Sequence, residues 1–210
     1  MSRFDEALVA TERAIELAPQ RAMFHANKAR ILTSLGRADE AFSALESALA
    51  LEEDQEIALA EMASALQKRD GPTAARLFCE EQIAKGRDVE PLYRVLARAC
   101  LEMKDMPSAL DALERGAERH PASGQLQAQR AELLQRSDPK AALEAAELAA
   151  RLEPDLMQVW NMLGMLRMRT GDMPGAIRAL ERFVQRKPDD RVAVVNLGRM
   201  LVRAKRQDEA

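Results

Sequence analysis

Aromatic residues are scarce in this chain: Phe, Trp and Tyr together make up 3% of 210 residues, with a single Trp and a single Tyr. A core with so few rings must draw its volume from Ala, Leu and Met. That disfavours a β-sandwich, whose strands favour aromatic and β-branched side chains. Cysteine is equally sparse. Cys79 and Cys100 are the only two, too few for the disulfide framework of a small secreted domain. At interior positions of successive predicted helices they read as buried core thiols, and as a redox pair only if the two helices place them side by side. Two histidines, His25 and His120, stand far apart without a Cys or His at ligand spacing. Both read as surface or partly packed groups, and no metal site is expected. No apolar run reaches the ~18 residues a membrane span requires. No leader is visible at the start, where Ser2, Arg3, Asp5 and Glu6 precede a merely amphipathic segment, so the expected compartment is the cytoplasm. Neither sign of charge dominates: 31 basic against 34 acidic residues leave a net −3, which argues for neither nucleic acid nor a membrane surface as partner. The patterns G-x-G-x-x-G, G-x-x-x-x-G-K, H-E-x-x-H and G-x-S-x-G are all absent, and no catalytic pair stands out among the many carboxylates. No catalytic residue and no cofactor is therefore assigned, and the chain is not expected to be an enzyme.

What the chain does have is a period. Ala7, Ala41, Ala75 and Ala109 stand 34 residues apart, Ala142 follows at 33, and Ala176 and Ala210 each follow at 34. The triplet Asp-Glu-Ala recurs in the same phase at Asp5-Glu6-Ala7, Asp39-Glu40-Ala41 and Asp208-Glu209-Ala210, as do Pro19, Pro121, Pro154 and Pro188. Proline ends a helix because it lacks the N–H and clashes with the preceding turn. The spacing predicts helices over Phe4–Leu17, Arg21–Ser34, Ala38–Leu51, Ile57–Lys68, Thr73–Lys85, Pro91–Glu102, Pro107–Arg119, Gly124–Gln135, Pro139–Leu152, Asp155–Arg169, Pro174–Arg186 and Arg191–Arg203. Gln207 is the expected start of a further one. Gly86 stands where other units carry proline, so that join is expected to be looser. A turn one residue short after Gln135 would account for the spacing of 33. Small residues recur in both helices of each unit, at Ala29, Ala63, Ala97, Ala131, Gly164 and Gly198 and at Ala41, Ala75, Ala109, Ala142 and Ala176. They predict close helix–helix approach, with Leu, Met and Phe filling the remaining space.

The stretch Trp160 to Pro188 carries the pattern most fully. Trp160, Leu163 and Gly164 open it, and Ala176, Leu180 and Pro188 close it, matching W-x₂-L-G-x₂-Y, then A-x₃-F, then P at most positions. It resembles a tetratricopeptide repeat, a helix–turn–helix unit of ~34 residues; Arg167 departs from it, standing where the family prefers Tyr. The resemblance implies an all-α fold, a right-handed α-solenoid of tandem helix–turn–helix repeats forming an alpha-alpha superhelix. It would comprise a half repeat over 1–19, five repeats over about 20–53, 54–88, 89–121, 122–154 and 155–188, and a half repeat over 189–210. Because such arrays carry polar capping units, the expectation is a fragment of a longer chain.

In that family the first helices line a concave groove. Carried over by position, the inward set is Asn27, Arg30, Ser64, Arg94, Arg98, Glu132, Asn161, Met165, Asn196, Arg199 and Arg203. Arginine offers a planar fork suited to carboxylates, and Asn both a donor and an acceptor for a peptide backbone. Met165 would add an adaptable apolar contact. The groove residues expected to bind a peptide are thus Asn27, Arg30, Arg94, Arg98, Asn161, Met165, Asn196, Arg199 and Arg203, the partner being a protein or an acidic peptide. The family's carboxylate clamp is not implied, since Ala26 and Arg30 stand at the places where it needs Lys and Asn. Residues 1–66 carry net −6 and residues 155–210 net +4, which raises self-association between ends as a second expectation. A third is that the segment is a regulatory or substrate-presenting arm of a larger enzyme such as a transferase.

Overall fold

The computed structural model describes residues 3–204, which form twelve α-helices and no strand. The expected segment from Gln207 to Ala210 lies outside the described residues. The chain divides into two compact units within α7 (Met106–Arg119), the first ending at Ala112 and the second starting at Leu113. The first holds α1 (Arg3–Leu17), α2 (Ala22–Ser34), α3 (Ala38–Leu51), α4 (Glu56–Asp70), α5 (Pro72–Ala84) and α6 (Glu90–Glu102). The second holds α8 (Gly124–Leu134), α9 (Pro139–Leu152), α10 (Met157–Arg169), α11 (Met173–Arg186) and α12 (Arg191–Arg203).

Within each unit a helix packs on its neighbours in sequence or the next but one: α2 meets α1, α3 and α4, and α10 meets α9 and α11. That is the contact pattern of an α-solenoid, in which each repeat leans only on adjacent ones. The short joins are punctuated by local chemistry. Asp138, Asp172 and Asp190 cap α9, α11 and α12 by accepting from the N–H groups of Ala141, Gly175 and Ala193 at 3.0, 2.9 and 3.0 Å. One residue, Gly71, separates α4 from α5 at φ 90° and ψ 177°, a conformation essentially confined to glycine. At the corresponding turn between α6 and α7 stands Lys104, at φ 63°.

Two details differ from the sequence reading. The spacing of 33 arises not from a short turn but from α8, which at 11 residues is shorter than the 13 of α10; it ends at Leu134 and the join spans residues 135–138. The join at Gly86 is not loose either. Spanning residues 85–89, it is one residue longer than the other joins that lead into a first helix, but Gly86 adopts φ 81° and the Arg87 N–H reaches back to the Gln82 carbonyl at 3.1 Å, closing α5.

Small residues form the seams. Ala29, Ala63, Ala97 and Ala131 on the first helices, and Ala41, Ala75, Ala109, Ala142 and Ala176 on the second, are all buried. A Cβ on Gly164 would lie 2.6 Å from Leu180 Cγ, so α10 and α11 approach too closely for anything larger. Gly198 is the exception: among the described residues nothing lies within 4 Å of where its Cβ would stand. Arg167, in place of the usual Tyr, straps three helices. Its guanidinium donates to Glu147 on α9 at 2.9 Å and to the Gly175 carbonyl on α11 at 3.3 Å.

Candidate functional site

Three rings at one phase of the repeat fasten first helices to the loops before them. His25 and Trp160 donate ring N–H bonds to the carbonyls of Pro19 and Pro154, both at 2.9 Å, and Tyr93 donates its hydroxyl to Asp88 at 2.9 Å. His25, expected on the surface or partly packed, is half-buried and its ring ties α2 to the loop before it. Arg182 stacks its guanidinium over the Trp160 ring at 4.1 Å. These ties fasten the starts of α2, α6 and α10 to the loops before them.

In the first unit, α2 presents Asn27 and Arg30, which line a shallow depression of about 480 Å³ together with Glu61 of α4. Arg30 lies 3.8 Å from Glu61. Arg98 of α6 donates to Gln67 of α4 at 2.9 Å and to Ser64 at 3.5 Å, and Gln67 in turn donates to Glu102 at 2.6 Å. Arg94 pairs with Glu90 one turn back on α6 at 2.9 Å. The expected arginines are therefore present on these helices, but interleaved with acidic and amide partners that the sequence reading did not single out.

In the second unit the structure brings four expected residues together. Met165 of α10 and Asn196, Arg199 and Arg203 of α12 line one cleft of about 690 Å³. The Asn196 amide donates to the Met165 sulfur at 3.8 Å, a weak bond that links the two first helices. Met168, Val195 and Val202 also line the cleft; they were not among the expected groove residues, although Met168 follows Met165 by three residues and Val202 follows Val195 by seven, the helical spacing that shares a face. Asn161 stands one turn before Met165 and outside this cleft, its side-chain oxygen buried without a hydrogen-bond partner.

Cys79 and Cys100 are both free and buried. Burial pushes the Cys79 thiol up to about 12, with Glu80 adding to the effect and Arg98 opposing it; burial also raises Cys100. Neither is a thiolate near neutral pH, so neither is a ready nucleophile. Among the described residues no three His, Cys, Asp or Glu side chains group closely enough to hold a metal ion. No helix among them is long and apolar enough to cross a membrane.

Sequence profiles described as tetratricopeptide repeat match residues 129–196 and residues 1–56. Protein O-mannosyl-transferase TMTC1 of Homo sapiens is 24% identical over 193 residues, a match that covers 86% of this chain. The chain spans 22% of that relative's length. Among solved structures, yeast Tom70 superposes with a TM-score of 0.86 at 16% identity, covering 98% of this chain and 44% of Tom70. YrrB, described as a TPR protein with an unusual peptide-binding site, gives a TM-score of 0.57 at 19% identity, covering 88% of this chain and 96% of that one. At such identities the structural likeness bears on the fold alone.

Proposed function

The chain belongs to the tetratricopeptide-repeat family, and from that premise we propose that it is a non-catalytic scaffold binding a peptide or protein segment on the face its first helices present. Asn27, Arg30, Arg94, Arg98, Asn161, Met165, Asn196, Arg199 and Arg203 are the contact residues in this reading. The observation that carries it is the cleft where Met165, Asn196, Arg199 and Arg203 converge on an apolar floor. A concave site with a few convergent polar groups is where a ligand would be sought first. The test is a peptide array of systematically varied charge, probed with the labelled chain and with an Arg98→Glu/Arg199→Glu double variant. Acidic sequences should be enriched by the parent and lost by the variant. An unbiased array, identical for both, would sink the reading.

A second reading is favoured by the transferase relative, of which this chain matches only 22%: the segment is a substrate-presenting or regulatory arm of a larger enzyme. The reading frame on either side of these residues would decide it, since a scaffold acting alone would adjoin no catalytic domain.

A further inference from the structure

The two outermost helices carry the two halves of one kind of seam. In the repeat, a first helix and the second helix after it meet along small residues, as Gly164 of α10 meets Leu180 of α11. Among the described residues, α12 is a first helix that no second helix follows, and α1 is a second helix that no first helix precedes. Both halves are open. Nothing described lies within 4 Å of where a Cβ on Gly198 would stand, whereas one on Gly164, at the same phase, meets Leu180 at 2.6 Å. On α1, Ala7 is half-buried and Ala10 exposed, whereas Ala176 and Ala179, which hold their places in α11, are 0% and 1% exposed. Phe4 continues the stripe of α1 at 51% exposure, and Val194 and Val202 continue that of α12 at 42% and 52%. Spacings of three and four residues keep each set on one face. The charges are opposite as well. α1 carries Asp5, Glu6, Glu12 and Glu16 against Arg3 and Arg13, whereas α12 carries Arg191, Arg199 and Arg203 and no carboxylate.

We propose that α12 of one copy of this chain takes up α1 of a second copy, completing between molecules the hairpin that α10 and α11 form within one. The repeat phase sets the register: Gly198 faces Thr11 of the other copy as Gly164 faces Leu180. Thr11 is smaller than Leu180, but Ala131 and Ala146 hold the same two places in α8 and α9 and are buried, so this chain already closes one such seam on small side chains. The Thr11 hydroxyl donates to the Ala7 carbonyl at 2.8 Å, so covering it leaves no donor unpaired. Charge selects the pairing of unlike ends. An α12–α12 contact would bring arginines together, and an α1–α1 contact carboxylates, whereas α1 against α12 is attractive. Two copies joined once still carry one free α1 and one free α12, so association need not stop at two. A single helix pair falls short of the ~1,200 Å² of a stable interface, which makes the assembly concentration-dependent. This contact is independent of the peptide-binding reading above.

The test is sedimentation velocity on the full 210-residue chain, comparing the parent, Ala10→Arg and Val194→Glu over a range of concentrations. Both positions are exposed, and circular dichroism checks that each variant is folded. Ala10→Arg sets a cation against the arginines of α12, and Val194→Glu sets a carboxylate against the acidic side chains of α1. The mass of the parent should rise with concentration to about twice the 23.3 kDa of one chain or more. Each variant alone should stay at the mass of one chain. An equimolar mixture of the two should recover a two-copy complex, because Ala10→Arg keeps an intact α12 and Val194→Glu an intact α1. A parent that stays monomeric overturns the proposal, the α12 seam then being covered from within the chain or by another partner. Assembly that survives Ala10→Arg or Val194→Glu alone overturns it in favour of a contact between like ends or elsewhere. A mixture that stays monomeric while the parent assembles excludes the pairing of α1 with α12. None of these outcomes touches peptide binding, so the scaffold reading stands or falls separately.

Discussion

At the scale of single residues, Cys79 ties stability to pH. Its thiol is fully buried and its proton is held up to about 12, first by burial and then by Glu80, whereas an unfolded thiol ionises near ~8.5. The folded state therefore binds the proton more tightly. This contribution is intact below the unfolded value and is lost as pH rises from there toward the folded one. Between pH 8 and pH 10 the parent should lose about 2 kcal/mol that a Cys79→Ala variant keeps. Guanidinium titrations of both proteins at the two pH values measure the difference, and parallel losses would show that Cys79 carries no linkage. Lys104 offers a test of the opposite sign. Its φ of 63° costs an L-residue ~1–2 kcal/mol, against ~0.5–1 kcal/mol for the extra chain freedom of glycine. Lys104→Gly should thus stabilise by ~0.5–1 kcal/mol and raise the melting temperature by a few degrees; a lower one would mean that the lysine side chain contributes packing or charge that outweighs its backbone strain.

At the scale of elements, the seam between α10 and α11 is the most sharply defined. Gly164 faces Leu180 with no room for a methyl group, and Ala176 is buried on the other helix. Gly164→Ala and Ala176→Leu should each destabilise by ~1–3 kcal/mol through overpacking, read as a lower denaturant midpoint at unchanged slope. This seam was legible in the sequence, because Gly164 and Ala176 hold the phase of the small residues in every unit. Helix ends such as Ser34, Leu51, Arg119 and Arg186 were equally legible, since glycine, proline and the repeat phase all mark them. The shortening of α8 was not: Gln135 and Arg136 are good helix formers, and nothing local says that the helix stops at Leu134. The site was half legible. Position in the repeat predicted that Met165, Asn196, Arg199 and Arg203 share a face. The partners of Arg30 and Arg98 were not foreseen, because meeting Glu61 or Gln67 across 31 residues depends on the rotation between successive first helices, which periodicity alone leaves open.

At the scale of the molecule, the contact pattern has a thermodynamic consequence. Within each unit the described helices touch their neighbours in sequence, and in the first unit α4 also touches α2 and α6, so stability is close to a sum of local terms and a perturbation should fade with distance along the array. The second unit provides a clean case. α12 leans on α11 and touches α10 through the Asn196–Met165 bond, and its first turn is held by Asp190, which accepts from the Ala193 N–H at 3.0 Å. Removing that cap with Asp190→Ala should cost ~1 kcal/mol. In native-state hydrogen exchange this appears as about fivefold faster opening of the α12 amides. The amides of α8 and α9, which pack on one another and reach α12 only through α10 and α11, should keep their rates. A globule with a single cooperative core would respond differently, because every amide that exchanges by global unfolding would speed up by the same factor. Uniform acceleration across α8 to α12 would therefore contradict a stack of locally stabilised hairpins, whereas acceleration confined to α12 and its contacts on α11 is what nearest-neighbour packing requires.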